Sequence, residues 1–134
     1  MSKHILQAGT IPYRKLDDNF EFCVIETSSG KWWGFPKGVI DPGETPEETA
    51  IKESYEEAGL RGELDGTPLG TFQYSKWRSK LDCTVYLMDV QYEDGSWPES
   101  SRERRWVDFD TARKMIHRVG FQHLLEAAFR RLTR

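Results

Sequence analysis

The sequence predicts an α/β layer sandwich on a mixed β-sheet, held in one domain over residues 1–134. Three observations carry this. Strand-like and helix-like segments are interleaved instead of grouped. One helix in the first half has a complete set of start and stop signals. The last segment has apolar residues at helical spacing.

The chain opens with two β-like runs, residues 6–12 and 20–26, around a polar stretch at 14–19. Apolar content and the β-branched pair Val24 and Ile25 favour strands at that length. Residues 28–44, rich in Gly and Pro, read as a loop with at most a short extended piece. The helix that follows begins with Thr45 as N-cap, Pro46 at the first helical position and Glu48 placed to complete a capping box. Gly59 supplies a left-handed stop, so the helix covers about residues 46–58. Residues 66–74 and 81–91 read as further strands around a basic linker at 75–80, followed by a turn or loop over 92–101. Residues 105–109 suit one short strand. Asp110 can cap a helix running to about Arg118, where Gly120 breaks it. Phe121, Leu124, Leu125, Ala128, Phe129 and Leu132 then mark a C-terminal amphipathic helix.

The composition is that of a soluble globular domain, with 37% hydrophobic and 31% charged residues. No stretch approaches the roughly 20 apolar residues of a membrane span, so no membrane partner is expected. The N-terminal segment lacks the apolar centre and cleavage site of a signal peptide. Cys23 and Cys83 each sit in an apolar run, where thiols are usually buried. A reducing, cytoplasmic location is the expectation.

The net charge of −3 conceals an asymmetry: residues 41–65 carry nine acids against two bases, and the rest of the chain is net positive. On a helical wheel at about 100° per residue, Ala50, Ile51, Ser54 and Ala58 form the packing face. Glu53, Glu56 and Glu57 fall on an adjacent arc at i, i+3 and i+4, within reach of a common point. Like charges so placed destabilise a helix unless something neutralises them. Hard divalent cations prefer carboxylate oxygens, and Mg²⁺ in particular binds a few carboxylates together with water and substrate phosphate.

The spacing upstream sharpens this reading. Gly38, five residues, Glu44, seven residues, then Lys52-Glu53-Ser54-Tyr55-Glu56-Glu57-Ala58-Gly59-Leu60 resembles the Nudix box, G-x5-E-x7-R-E-U-x-E-E-x-G-U with U aliphatic. Six Gly and Glu positions match, at chance odds on the order of 1 in 10⁵ for average composition. Two positions depart: Lys52 replaces the family's arginine, losing its bidentate fork, and Ser54 replaces an aliphatic residue. On the packing face, Ser54 is expected to bond back to a helix carbonyl.

The resemblance implies an α/β/α Nudix fold and Mg²⁺-dependent hydrolysis of a phosphoanhydride bond, with Mn²⁺ as a substitute. Carried over by position, Glu53, Glu56 and Glu57 would hold the metal together with the carbonyl of Gly38, and one glutamate would serve as base. Lys52 would help orient the catalytic glutamate, and Glu44 would bond the loop or Lys52. Glu103, three residues before Trp106, stands where many members carry an extra metal-facing carboxylate, and Glu99 is a second candidate. Lys37, directly before the box, is placed to reach a phosphate; Lys76, Arg78 and Lys80, with Arg14, would form a basic rim. Trp32, Trp33, Trp77 and Trp97 lie in loop-like stretches, where an indole either anchors the core or stacks on a base.

By its loops the chain looks most like the subgroup acting on diadenosine polyphosphates and diphosphoinositol polyphosphates, and a basic linker suits such densely anionic ligands. A nucleoside triphosphate pyrophosphohydrolase is an alternative. So is an RNA 5′-pyrophosphohydrolase, given nine bases against four acids over residues 102–134. A Nudix-fold ligand sensor or protein-binding module is the alternative of another class; its weakness is that all three helix glutamates are present. The oligomeric state is not set by the sequence.

Overall fold

A computed structural model describes residues 3–134. The strands are β1 (Lys3–Leu16), β2 (Asn19–Glu26), β3 (Trp33–Gly34), β4 (Lys37–Val39), β5 (Leu60–Leu64), β6 (Gly70–Lys76), β7 (Ser79–Glu93) and β8 (Arg104–Asp108). The helices are α1 (Pro46–Ala58), α2 (Phe109–Met115) and α3 (Val119–Thr133). The sheet is mixed: β1 and β7 run parallel from Lys3↔Ser79 to Tyr13↔Asp89, and the other pairings are antiparallel. These long strands each take two antiparallel partners along their length, β4 and β2 on β1, β6 and β5 on β7.

Period-two alternation sorts the core into layers. Ile11, Phe22, Val24, Val85 and Leu87 pack beneath α2 and α3 with Ile116, Phe121 and Leu125. On the opposite face Cys23 and Ile25 meet Ala58 and Leu60, and Ala8 and Tyr86 meet Ala50 of α1. This is the expected α/β/α sandwich. Cys83 belongs to the first layer and Cys23 to the second, so the sheet separates the two free thiols. Burial pushes both up to about 12, which keeps them protonated and inert. Among the described residues no helix is long and apolar enough to cross a membrane.

α1 forms as its sequence dictates. The Thr45 hydroxyl accepts from the Glu48 N–H at 3.1 Å, the Glu48 carboxylate accepts from the Thr45 N–H at 2.9 Å, and Gly59 closes the helix at φ 66°. Its buried face is Thr49, Ala50, Ser54, Glu57 and Ala58, whereas Ile51 is 45% exposed. The face is thus centred on positions 50, 54, 57 and 58, rotated away from Ile51 so that it takes in the charged Glu57 at its other edge. The Ser54 hydroxyl donates to the Ala50 carbonyl at 2.8 Å and lies 2.7 Å from the buried Thr10 hydroxyl of β1. A matched hydroxyl pair therefore fills the aliphatic position. Ser54→Ala is expected to destabilise by about 1–3 kcal/mol, because the Thr10 hydroxyl loses a partner. Adding Thr10→Val should restore most of that loss in urea titrations.

Several boundaries differ from expectation. The polar stretch 14–19 is mostly a hairpin, with Arg14↔Glu21 and Leu16↔Asn19 paired around Asp17 at φ 55°. The basic linker 75–80 is likewise strand, turning only at Trp77 and Arg78. β5 was hidden in sequence by its charges Arg61 and Glu63, and the following strand starts at Gly70, not residue 66. Asp108, not Asp110, caps α2, since its carboxylate accepts from the Thr111 N–H at 2.9 Å. Gly120 does not break the chain but sits inside α3, where an added Cβ would meet the Phe72 ring at 2.3 Å. Close packing, not a stop signal, explains that glycine.

Candidate active site

α1 brings two acids together against the loop that enters it. Glu57 is 7% exposed, its Oε1 accepting from the Lys37 N–H and from Arg102, both at 3.4 Å. Desolvation pushes its carboxyl up to about 8, against the lowering pull of Arg102, and Glu53 raises it further. Glu53 is itself raised, first by burial and then by the charges of Glu56 and Glu99, while its hydrogen bond with Glu57 works the other way. Burial and mutual repulsion thus hold both carboxyls above the usual carboxylate range, Glu57 the more deeply buried of the two. Gly38 lies directly against this pair: an added Cβ would sit 2.4 Å from the Glu53 carboxylate. Two desolvated carboxylates beside a backbone kept free of side chain are hard oxygen donors in want of positive charge, and this fits a divalent cation.

Among the described residues the acids do not close into a cluster of three metal-binding side chains. This differs from the common point expected for Glu53, Glu56 and Glu57. Glu57 turns inward to the Lys37 N–H and Arg102, and Glu56 is left outside the pair, its charge still felt by Glu53.

Lys52 is directed mainly at Glu44 and Asp41. Its Nζ donates to both Glu44 oxygens at 2.8 and 3.0 Å and to Asp41 at 2.9 Å, and it lies 4.0 Å from Glu53. These bonds lower the Glu44 carboxyl, helped by the Thr49 hydroxyl, and raise Lys52. Asp41 thus supplies a contact at the position where the ammonium lacks a second arm, a role the sequence did not suggest. Lys52→Arg is expected to preserve or raise the rate. Asp41→Asn should lower kcat by about twofold to fivefold, the scale of an exposed ion pair, and by less when Lys52→Arg is also present.

The segment 94–104 clamps the C-terminal end of α1, whose last carbonyls would otherwise be orphaned. Trp97 Nε1 donates to the Glu57 carbonyl at 3.1 Å, Arg104 to the Ala58 carbonyl at 2.7 Å, and the Glu99 N–H to the Glu56 carbonyl at 2.9 Å. Arg102 bridges Glu99 at 2.9 Å and Glu57. The charge of Glu99 is felt by Glu53, and its carboxylate is ion-paired with Arg102. Glu103 is half exposed and engaged by Arg105.

Glu57 forms part of the wall of a cleft of about 260 Å³ that is also lined by Lys37, Lys76, Arg102, Trp32 and Arg118. Trp32 stacks on His117 at 3.9 Å, and Arg118 and Lys37 lie over Tyr74 at 3.8 and 5.1 Å. Of the expected cations, Lys37 and Lys76 reach this cleft. Arg78 and Lys80, at and beyond the hairpin tip, do not line it. Arg14 is elsewhere, paired with Glu21 at 2.8 Å and Glu93 at 3.4 Å and stacked over Trp106. Arg102 and Arg118 were missed because nothing in their local sequence separates them from ordinary surface arginines.

A family model described as the NUDIX domain matches residues 13–128. The chain is 35% identical to Nudix hydrolase 4 of Arabidopsis thaliana over 89% of its length, and spans 62% of that relative. It is 33% identical to diphosphoinositol polyphosphate phosphohydrolase 3-alpha of Mus musculus over 69% of its length, spanning 59% of it. The fold superposes on a C. elegans Ap4A hydrolase crystal structure with a TM-score of 0.76, at 24% identity, covering 99% of this chain and 100% of that one.

Proposed function

This chain belongs to the Nudix family, and we propose that it is a divalent-metal-dependent hydrolase of phosphoanhydride bonds in nucleoside-diphosphate-linked or polyphosphate substrates. Diadenosine polyphosphates and diphosphoinositol polyphosphates are the favoured classes. The observation that carries the proposal is the pairing of buried Glu57 with partly buried Glu53, set against Gly38 and opening through Glu57 into a cleft lined by four cations, Lys37, Lys76, Arg102 and Arg118.

Glu53, Glu56, Glu57 and the Gly38 carbonyl would hold Mg²⁺ or Mn²⁺, with Glu99 as the adjacent acid. A bound cation supplies polarisation of the phosphoryl oxygens and a lowered pKa for the attacking water. The chain's own residues then have distinct tasks. One of the helix glutamates would serve as base; without metal, burial pushes the Glu57 carboxyl up to about 8, and a cation bound there would draw it back to the ionised form. Lys52, anchored by Glu44 and Asp41, keeps a positive charge beside Glu53. Lys37, Lys76 and Arg118 bind the substrate's phosphates, with Arg78 and Lys80 extending the basic strip outside the cleft.

A small anionic substrate suits this arrangement better than an RNA 5′ end. Two bases of the C-terminal third are engaged within the fold, Arg131 by Asp65 and Thr67 and Arg104 by Ala58 and Asp94. A cytoplasmic location accords with the buried, protonated thiols; relatives named mitochondrial and chloroplastic show that the family is not confined to it.

The test is phosphate or nucleotide release with Mg²⁺ and with EDTA, over a panel of both favoured classes, deoxynucleoside triphosphates, ADP-ribose and 5′-triphosphorylated RNA. Metal-dependent turnover of a favoured class is expected. Intact Mg²⁺ binding without turnover of any member would reject these substrates, and absence of both would favour a sensor. Reversing Lys76, Arg78 and Lys80 to Glu should raise KM most for the most highly phosphorylated substrate.

A further inference from the structure

Four of the five tryptophans are packed against a partner: Trp32 on His117, Trp33 under Arg105, Trp97 under Arg104 and Trp106 under Arg14. The fifth, Trp77, stands alone at 87% exposure, the highest among the large apolar side chains described. It forms the β6–β7 turn with Arg78, and both residues have positive φ, 61° and 136°. Two-residue hairpin turns of this hand favour Asn and Gly, since a bulky side chain at positive φ is strained. Fold stability alone would select against an indole here, because it adds backbone strain and buries nothing.

The surroundings indicate what the indole serves. Lys76, immediately before it, lines the cleft that Glu57 opens into. Arg78 shares the turn and Lys80 lies two residues further on in β7, so Trp77 is flanked in sequence by cations just outside the proposed phosphate-binding strip. A polyanion held by Lys76 would project its end group past the hairpin. A lone, flat, electron-rich surface among cations suits a planar aromatic end group, whereas an inositol ring has no π-face to stack.

We propose that Trp77 is a stacking platform for a nucleobase lying outside the cleft, so that of the two favoured substrate classes the protein takes the dinucleoside polyphosphate. This rests on the hydrolase reading above. Trp77→Asn is the informative variant, because asparagine tolerates the left-handed backbone and should leave the melting temperature unchanged or raise it. KM for diadenosine tetraphosphate should rise about tenfold or more, the usual scale for losing one base–aromatic stack. KM for diphosphoinositol polyphosphate should not change.

A binding measurement in EDTA separates this inference from the hydrolase reading. Diadenosine tetraphosphate should quench tryptophan emission of the wild type more than that of Trp77→Phe, while tripolyphosphate should quench neither. Equal quenching of both proteins, or equal KM changes for both substrates, would overturn the platform. Binding of wild type but not Trp77→Asn to phosphatidylserine vesicles, without base-dependent quenching, would overturn it in favour of a lipid surface. Failure to turn over either class would sink the hydrolase reading, and the quenching would still decide Trp77.

Discussion

Glu57→Gln is expected to lower Mg²⁺-dependent turnover by about 10²–10⁴-fold, the range for removing a proton-transfer group, without loss of the fold. Its effect on stability should have the opposite sign. The native carboxyl is pushed from 4.5 to about 8, mainly by desolvation. Between those values the unfolded chain has released its proton and the native chain still holds it. Stability of the metal-free protein must therefore fall as pH rises from about 4.5 to 8, and the loss is complete above 8. An amide side chain cannot ionise, so the Glu57→Gln variant should lack this contribution and be the more stable protein at pH 8 and above. Melting curves in EDTA across that window check the sign. Mg²⁺ should raise the melting temperature of the wild type most at the alkaline end, where its ligands are ionised. A variant that kept its activity, or a metal effect greatest in acid, would remove Glu57 from the site.

Gly38→Ala should show the same separation of activity from stability by a steric route. The new methyl would meet the Glu53 carboxylate at 2.4 Å. That carboxylate is the end of a flexible side chain and can move aside, so the melting temperature should change little. Its displacement breaks up the Glu53–Glu57 pair, and a misplaced catalytic group costs on the order of 10²-fold in rate. Gly120→Ala is the control with the reverse pattern. Its methyl would strike the Phe72 ring, which is packed against Phe121 at 4.8 Å. Stability should drop there, with turnover per folded molecule preserved. If Gly38→Ala were fully active, the loop carbonyl and Glu53 would not form one site.

What could be read in the sequence was whatever local interactions decide. Thr45, Glu48 and Gly59 specify the limits of α1 through bonds made within a few residues, and those limits are unchanged in the fold. The apolar runs around Val24 and Val85 announce buried strands, because both faces of these strands need apolar cover. Strand ends were harder. β1 continues to Leu16 and the β6–β7 hairpin reaches Lys76 and Ser79 because backbone groups pair there, although the side chains face water and carry no apolar signal.

The same division runs through the site. Sequence spacing alone determined that Glu53, Glu56 and Glu57 share a helix flank, that Gly38 and Glu44 precede them at family distances, and that Lys52 stands in for an arginine. Only the tertiary structure decided that Glu57 is the buried member, that Asp41 and Glu44 hold Lys52, and that Arg102 bridges Glu99 and Glu57 across 45 residues of chain. It also removed Arg14 to an ion pair with Glu21 and Glu93. The reason is physical. A helix sets the relative angles of its side chains by its own geometry, but the desolvation and the distant charges that act on a carboxylate come from whatever packs against that helix.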